Sequence, residues 1–480
     1  MAGAMMERLF RLGENKTTVR VELMAGLTTF LTMAYIIFVQ PAVLSGAMFN
    51  METGLDFGAV TVATCLAAAL ATGIMALYAR YPIAQAPGMG ENFFFVFSVI
   101  PAAASLAAVQ SGATTAWQVA LGVVFISGVL FLLLSLLGVR AMIIDTVSSS
   151  MKNGIAVGIG LFIAFIGMQN TGLIIKDPGT AVKLNDQFLS PDLVVFLTTL
   201  LATAGLHARR VRGAIFWGIL SATVLSVMLK LGLPRMPPII SQSKLVTDSM
   251  LMQRFTIAHQ VVAEPPSMAP TFCKMDLLHA LSWSMIPFII ILLFMDVFDT
   301  IGTLIGVSEQ AGLIRNNRLP RVQRAMLSDA AGTTAGAVLG TSTVTSFIES
   351  ATGVEHGGRT GLTSLTTAVL FLLALFFSPL IAMVGSYGPI TAPALVIVGS
   401  MMIQNVRKVD WDDISEAIPA FLVMIGIPFS YSIGDGLAFG FISYPVIKLF
   451  SGKGREVKPL MYILAAVLLL YFVVIRSRVN

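Results

Sequence analysis

Four carboxylates sit where the surrounding sequence is too apolar to leave a charge without a reason. Asp296 and Asp299 lie in FMDVFDTIGT (294–303), within a long hydrophobic run. Glu91 lies in APGMGENFFF (86–95) and Glu349 in GTSTVTSFIES (340–350). A charged side chain at the centre of a bilayer costs at least ~2.5–3.5 kcal/mol on insertion scales. A carboxylate kept there can accept hydrogen bonds from the ring N–H or amino groups of a ligand, and it can bind and release a proton. Each also has a plainer reading. Asp296 and Asp299, three residues apart, share a helix face only loosely, and either can be tied to a threonine or a backbone amide. Glu91 can serve as a first-turn acid on a short helix. Phe93, Phe94 and Phe95 can stack on a flat heterocycle or simply pack.

The elements that must hold these groups are unusual. Ala86-Pro-Gly-Met-Gly90 cannot continue a helix, and Thr341-Ser-Thr-Val-Thr345 is β-branched and strand-like. Each precedes a short helical stretch. Irregular backbone at membrane depth is tolerated only where protein or a cavity satisfies it. Two half-helices with their N-termini at one central site would supply such a place.

Composition sets the frame. Of 480 residues, 56% are hydrophobic and 11% charged, with mean hydropathy +0.86, against about 25% charged residues in soluble proteins. This is an all-α polytopic membrane protein. Apolar runs long enough to cross the bilayer are expected at 20–46, 57–79, 115–138, 141–167, 192–206, 213–233, 283–309, 325–340, 361–384, 386–405, 413–430 and 433–450. The two broken segments, 83–100 and 341–353, bring the total to about fourteen. The net charge of +5 does not point to nucleic acid, because the basic residues fall in short loops. With a cytoplasmic N-terminus, Arg8, Arg80, Arg140, Arg209, Arg210, Arg212, Arg315, Arg318, Arg407 and Lys408 all lie inside. Residues 460–475 form either a further span, which would put Arg476 and Arg478 outside, or an interfacial helix.

The chain also repeats. IAVGIGLFIAFIGMQN (155–170) and ITAPALVIVGSMMIQN (390–405) are both Gly-punctuated and end in Gln-Asn. The broken segments occupy the third position of each half. Seven spans per half is an odd number, so the halves are inverted, which is the mark of a secondary transporter. The expected units are a cytoplasmic N-terminus (1–19), a first inverted repeat (20–233), an extracytoplasmic connection (234–282), a second repeat (283–450) and a C-terminal segment (451–480). Nothing suggests an enzyme or a cofactor. The four histidines show no metal spacing, Cys65 and Cys273 suggest neither a metal set nor a disulfide, and a phosphate loop with Lys-Ser/Thr is missing.

These residues together resemble the nucleobase–ascorbate family (the second nucleobase–cation symporter family), and within it the AzgA-like adenine/guanine/hypoxanthine branch. The matching stretches are FLTMAYIIFVQP (30–41), APGMGENFFF (86–95), GIGLFIAFIG (158–167), FMDVFDTIGTL (294–304), TSTVTSFIESATGV (341–354), GGRTGLTSL (357–365) and ITAPALVIVG (390–399). The resemblance implies a 7+7 inverted-repeat fold with a core domain (spans 1–4 and 8–11) and a gate domain (5–7 and 12–14). It implies import of a purine base by proton symport across a bacterial inner membrane, with a homodimer possible. It places Asp299 and Glu349 at the substrate and proton positions, and Asn92 and Phe93 on the substrate-facing turn. Glu91 and Thr303 extend that polar surface, Thr303 from four residues beyond Asp299 on the same helix. Two departures stand out: Gln40 replaces the usual Asn before Pro41, and Glu91 replaces an apolar residue. A uracil or xanthine carrier is the alternative within the family. An anion transporter of the same fold is the alternative outside it, although such a site would be expected to be positive.

Overall fold

The computed structural model describes residues 7, 9–49, 51–137, 147–313 and 319–470. The basic residues Arg8, Arg140, Arg315, Arg318, Arg476 and Arg478, and the first part of the expected fifth span, lie outside that set.

Among the described residues, ten helices are long and apolar enough to cross a bilayer: α1 (Val19–Leu44), α2 (Phe57–Ala79), α4 (Ala116–Leu137), α5 (Ser149–Asn170), α6 (Pro191–Ala208), α7 (Ala214–Arg235), α8 (Ile286–Gln310), α11 (Gly361–Gly385), α12 (Gly388–Lys408) and α14 (Ile433–Phe450). Four further helices complete the series. They are α3 (Met89–Ala104), α9 (Val322–Leu339), the six-residue α10 (Ser350–Glu355) and α13 (Ile414–Ser430). The fourteen expected elements are therefore present in order. Their starts follow local chemistry. Thr18, Asp56, Ser148, Ser190, Thr360, Asp413 and Ser432 each accept a hydrogen bond from an amide in the first turn of the helix that follows, as good N-caps do.

Two boundaries differ from expectation. The fifth span begins at Ser149, not near 141, because the Ser148 side chain caps it there. The eighth begins at Ile286, not 283. Between α5 and α6 the chain forms a hairpin, β2 (Ile174–Asp177) with β3 (Ala181–Leu184). At the C-terminus, α15 (Pro459–Leu470) packs on α14. Its twelve residues span about 18 Å, too short to cross a membrane over the described part.

The packing obeys a two-fold rule. If each helix of the first half is exchanged with its counterpart seven places later, the contacts α2–α11 and α9–α4 interchange. The same holds for α1–α11 with α8–α4, α5–α13 with α12–α6, α6–α7 with α13–α14, and α7–α12 with α14–α5. The contact between α5 and α12 maps onto itself. These helices cross at Gly160 and Gly399, where a side-chain carbon on either glycine would run into the carbonyl of the other or its neighbour. The same pattern divides the helices into a core (α1–α4 and α8–α11) and a gate (α5–α7 and α12–α14). The repeated Gln-Asn stretches are the equivalent helices α5 and α12.

Candidate functional site

The centre of the core domain is a pair of short antiparallel strands, β1 (Gln85–Pro87) and β4 (Val344–Ser346), with Ala86 opposite Thr345. Two hydrogen bonds extend the pairing by one step at each end: Gly88 N to Thr343 O at 3.0 Å and Phe347 N to Ala84 O at 3.0 Å. These two bonds are two-fold mates. From this pair the half-helices α3 and α10 run in opposite directions. The β-branched and proline residues that spoiled a helix reading are thus the residues that build strands.

The predicted carboxylates separate into two groups. Asp299 and Glu349 face open space. Asp299 is exposed, and its Oδ2 accepts from Thr345 Oγ1 at 3.3 Å. Glu349, at the start of α10, is partly exposed, and its Oε1 accepts from the Tyr35 hydroxyl at 2.8 Å. Asp299 lies close enough to both Glu349 and Tyr35 to act on them electrostatically. Glu91 is buried at the first turn of α3, within the field of Asp299 and Asp296. Asp296 is sealed at 0% exposure and turned towards α9, where Thr333 Oγ1 lies 2.9 Å from its Oδ2.

A fifth carboxylate, Asp329 on α9, completes the cluster. Gln85 Nε2 donates to it at 2.6 Å, Thr300 Oγ1 at 2.6 Å and Ser346 Oγ at 3.3 Å. Sequence reasoning missed Asp329, and with it Gln85, Tyr35 and Thr345. The available signal was α9 itself, whose Ser328, Asp329, Thr333 and Thr334 make it too polar to face lipid. The ion pairs formed among the described residues, such as Lys448 with Glu416 and Lys453 with Asp413, lie away from this cluster.

The remaining predicted residues are brought to the same region but not to the open surface. Asn92 is buried. Its Oδ1 accepts from Ser342 Oγ, and its Nδ2 has no partner among the described residues. Gln40 donates to Thr341 at 2.9 Å and to Ser342 at 3.0 Å, so the departure at this position has a structural job, tying α1 to the second broken segment. Phe93 is buried in an aromatic cluster with Phe49, Phe97 and Phe162, to which Tyr431 adds a further edge. Thr303 is buried, whereas Asp299, Gly302 and Ile305 form the exposed stripe of α8. A spacing of four residues did not keep Thr303 on that stripe, because the stripe follows the three-residue interval.

The two-fold rule breaks at one place. The half-helix α3 packs on gate helices α5 and α14, and the aromatic cluster fills that seam. Its mate α10 makes no comparable packing with α12 or α7 among the described residues. Ile348 and Glu349, which lead into α10, and Thr352 on it are left partly or well exposed, opposite the stripe of α8. The site is therefore closed on the α3 side and open on the α10 side.

Comparison with known proteins agrees with this architecture. A family model named Xan_ur_permease and described as a permease family matches residues 20–474. The guanine/hypoxanthine permease PbuO of Bacillus subtilis is 41% identical over 97% of this chain and 99% of its own length. The adenine permease AdeP of Escherichia coli is 37% identical over 98% of this chain and 96% of its own. Among solved structures, the transmembrane domain of the cyanobacterial bicarbonate transporter BicA superposes with a TM-score of 0.60 at 13% identity, covering 88% of this chain and 97% of that one. SLC26A9 gives 0.61 at 12%, covering 93% and 69%; at such identities these two matches speak for the core–gate fold alone. The chain is a multi-pass membrane permease, not an enzyme, and it belongs to the nucleobase–ascorbate permease family.

Proposed function

We propose that this protein imports purine bases (guanine, hypoxanthine, adenine or a subset) by proton symport across the cytoplasmic (inner) membrane, with its N-terminus inside. The observation that carries the reading is the open pair Asp299 and Glu349, set between the half-helices where core meets gate. A purine offers ring N–H groups, and in two of these bases an exocyclic amino group, as donors along its edges. Two carboxylates are acceptor-only partners for such an edge, and bonds to them are roughly twice as strong as neutral ones. The unpartnered Asn92 Nδ2 is a donor for a ring nitrogen or carbonyl. Phe93 would stack on the base once the aromatic seam loosens. An anion of the bicarbonate or sulfate kind fits poorly beside five carboxylates.

In this reading the state described is open to the cytoplasm, because α10 leads towards the basic loops. Alternating access follows from the inverted repeat. Closing α10 on the gate while α3 parts from it gives the opposite-facing state from the same two packings, exchanged between the halves.

The test is uptake of labelled guanine, hypoxanthine, adenine, xanthine and uracil in cells lacking their own carriers. Accumulation of at least one of the first three, abolished by a protonophore, is expected. Uptake of uracil or xanthine alone, or full accumulation with the proton gradient collapsed, contradicts the reading.

A further inference from the structure

Asp296 and Asp329 are both at 0% exposure, on adjacent helices α8 and α9 behind the strand pair. Cross-helix bonds hold both in one buried layer: Thr300 on α8 donates to Asp329 Oδ2 at 2.6 Å, and Thr333 on α9 lies 2.9 Å from Asp296 Oδ2. A carboxylate is acceptor-only, so two of them held together out of water call for a proton or a cation. Two further observations point the same way. Asp296 Oδ1 is fully buried without a hydrogen-bond partner among the described residues. The Thr333 hydroxyl lies 2.9 Å from both Asp296 Oδ2 and Val344 O, and it already accepts from Val344 N at 3.0 Å. One hydroxyl hydrogen cannot serve two acceptors. If Thr333 donates to Val344 O, the Asp296 contact is completed only by a proton on Asp296.

We propose that the Asp296–Asp329 pair is the site that holds the coupling proton, separate from the open Asp299–Glu349 pair that meets the base. The proposal rests on the proton-symport reading above. A route connects the two sites. Asp299 Oδ2 is bonded to Thr345 Oγ1 at 3.3 Å, Thr345 Oγ1 lies 2.9 Å from Thr300 Oγ1, and Thr300 Oγ1 lies 2.6 Å from Asp329 Oδ2. A proton taken from water by Asp299 is passed to Thr345. Thr345 gives its own proton to Thr300, and Thr300 gives its proton to Asp329. Both hydroxyls end neutral and the charge change is confined to the two carboxylates. The other titratable groups facing the pair are Glu91 from α3 and Asp299 from α8. The described parts of α2, α4, β1 and β4 that pack around it carry no charged side chain. The net negative charge of the cluster therefore favours holding a proton there, and moving it to the pair leaves Asp299 ionised to accept from the base.

The experiment uses the full chain in proteoliposomes with labelled hypoxanthine, comparing accumulation under an inward proton gradient with counterflow in the absence of any gradient. For wild type the gradient should raise accumulation several-fold. For Asp296→Asn and Asp329→Asn the gradient effect should vanish, while hypoxanthine binding and counterflow stay within about threefold of wild type. A wild type indifferent to the proton gradient defeats the symport reading itself. A responsive wild type with equally responsive variants overturns only the assignment to this pair, whereas accumulation driven by sodium in place of protons defeats the symport reading. Where the variants fail to insert, infrared spectra of Asp299→Asn and Glu91→Gln membranes decide. A protonated-carboxyl C=O band that shifts in D2O and survives both substitutions is expected, and its absence overturns the proposal.

Discussion

Glu349→Gln separates a binding carboxylate from a packing one. Tyr35 donates to Glu349 Oε1 at 2.8 Å, and Glu349 is partly exposed, so Oε2 is the oxygen available to a ligand. In the variant, Tyr35 holds the amide oxygen in the same place and the NH2 group takes the position of Oε2. A base N–H then meets a donor where it had met an anion. A hydrogen bond to a charged partner is worth about 1.5–3 kcal/mol, and each ~1.4 kcal/mol is a tenfold change in affinity. The expected loss is therefore about 10- to 150-fold in affinity for hypoxanthine. Tyr35→Phe removes only the group that orients the carboxylate, so its loss should be smaller, about three- to tenfold. The assay is displacement of labelled hypoxanthine from membranes at matched expression. Near-normal affinity in Glu349→Gln would refute the argument, because an open carboxylate that contributes nothing to binding cannot be the base's partner.

Asp299→Asn should abolish uptake, whereas Asp296→Asn should retain a measurable downhill rate with similar apparent affinity; initial rates across a substrate series check this, and the reverse order would show that α8 presents its other face. In a background without Cys65 and Cys273, a cysteine at Ile348 should react with a charged thiol reagent applied from the cytoplasmic side and one at Phe93 should not, as judged by mass shift, since Ile348 is 46% exposed and Phe93 is sealed by the aromatic cluster. Glu22→Ala should lower thermal stability by about 2 kcal/mol or more. The buried Glu22 carboxylate accepts from the amides of Arg359, Thr360 and Thr363 and from two threonine hydroxyls at the start of α11, and a melt of the purified protein measures the effect.

Hydropathy and punctuation made most of the fold legible. The spans are long apolar runs whose ends carry their own caps, and the strand pair announces itself because Ala86-Pro-Gly and Thr341-Ser-Thr-Val-Thr345 cannot be helix. The carboxylates were legible because charge in such surroundings is costly. What the sequence concealed is which way each one points. Asp296 and Asp299 look alike in FMDVFDTIGT, yet one is sealed against α9 and the other lies open, a difference set by the rotation of α8 against its neighbours. Asp329 reads as an ordinary charge between a basic loop and a Gly/Ala/Thr helix, because its partners Gln85 and Thr300 are far away in the chain. Glu22 looks like an interfacial charge near a span's start until α11 is placed beside it. Thr303 shows the opposite error, a helix-face argument that was sound in spacing and wrong by one step in rotation.

Whether Asp299 and Glu349 form a site for a purine base is decided by equilibrium binding of labelled hypoxanthine to the purified protein, with unlabelled competitors. Saturable binding is expected, displaced by guanine or adenine, untouched by sulfate or bicarbonate, and weakened about tenfold or more in both Asp299→Asn and Glu349→Gln. Binding that is undiminished in both variants, or that sulfate displaces and bases do not, would contradict such a site.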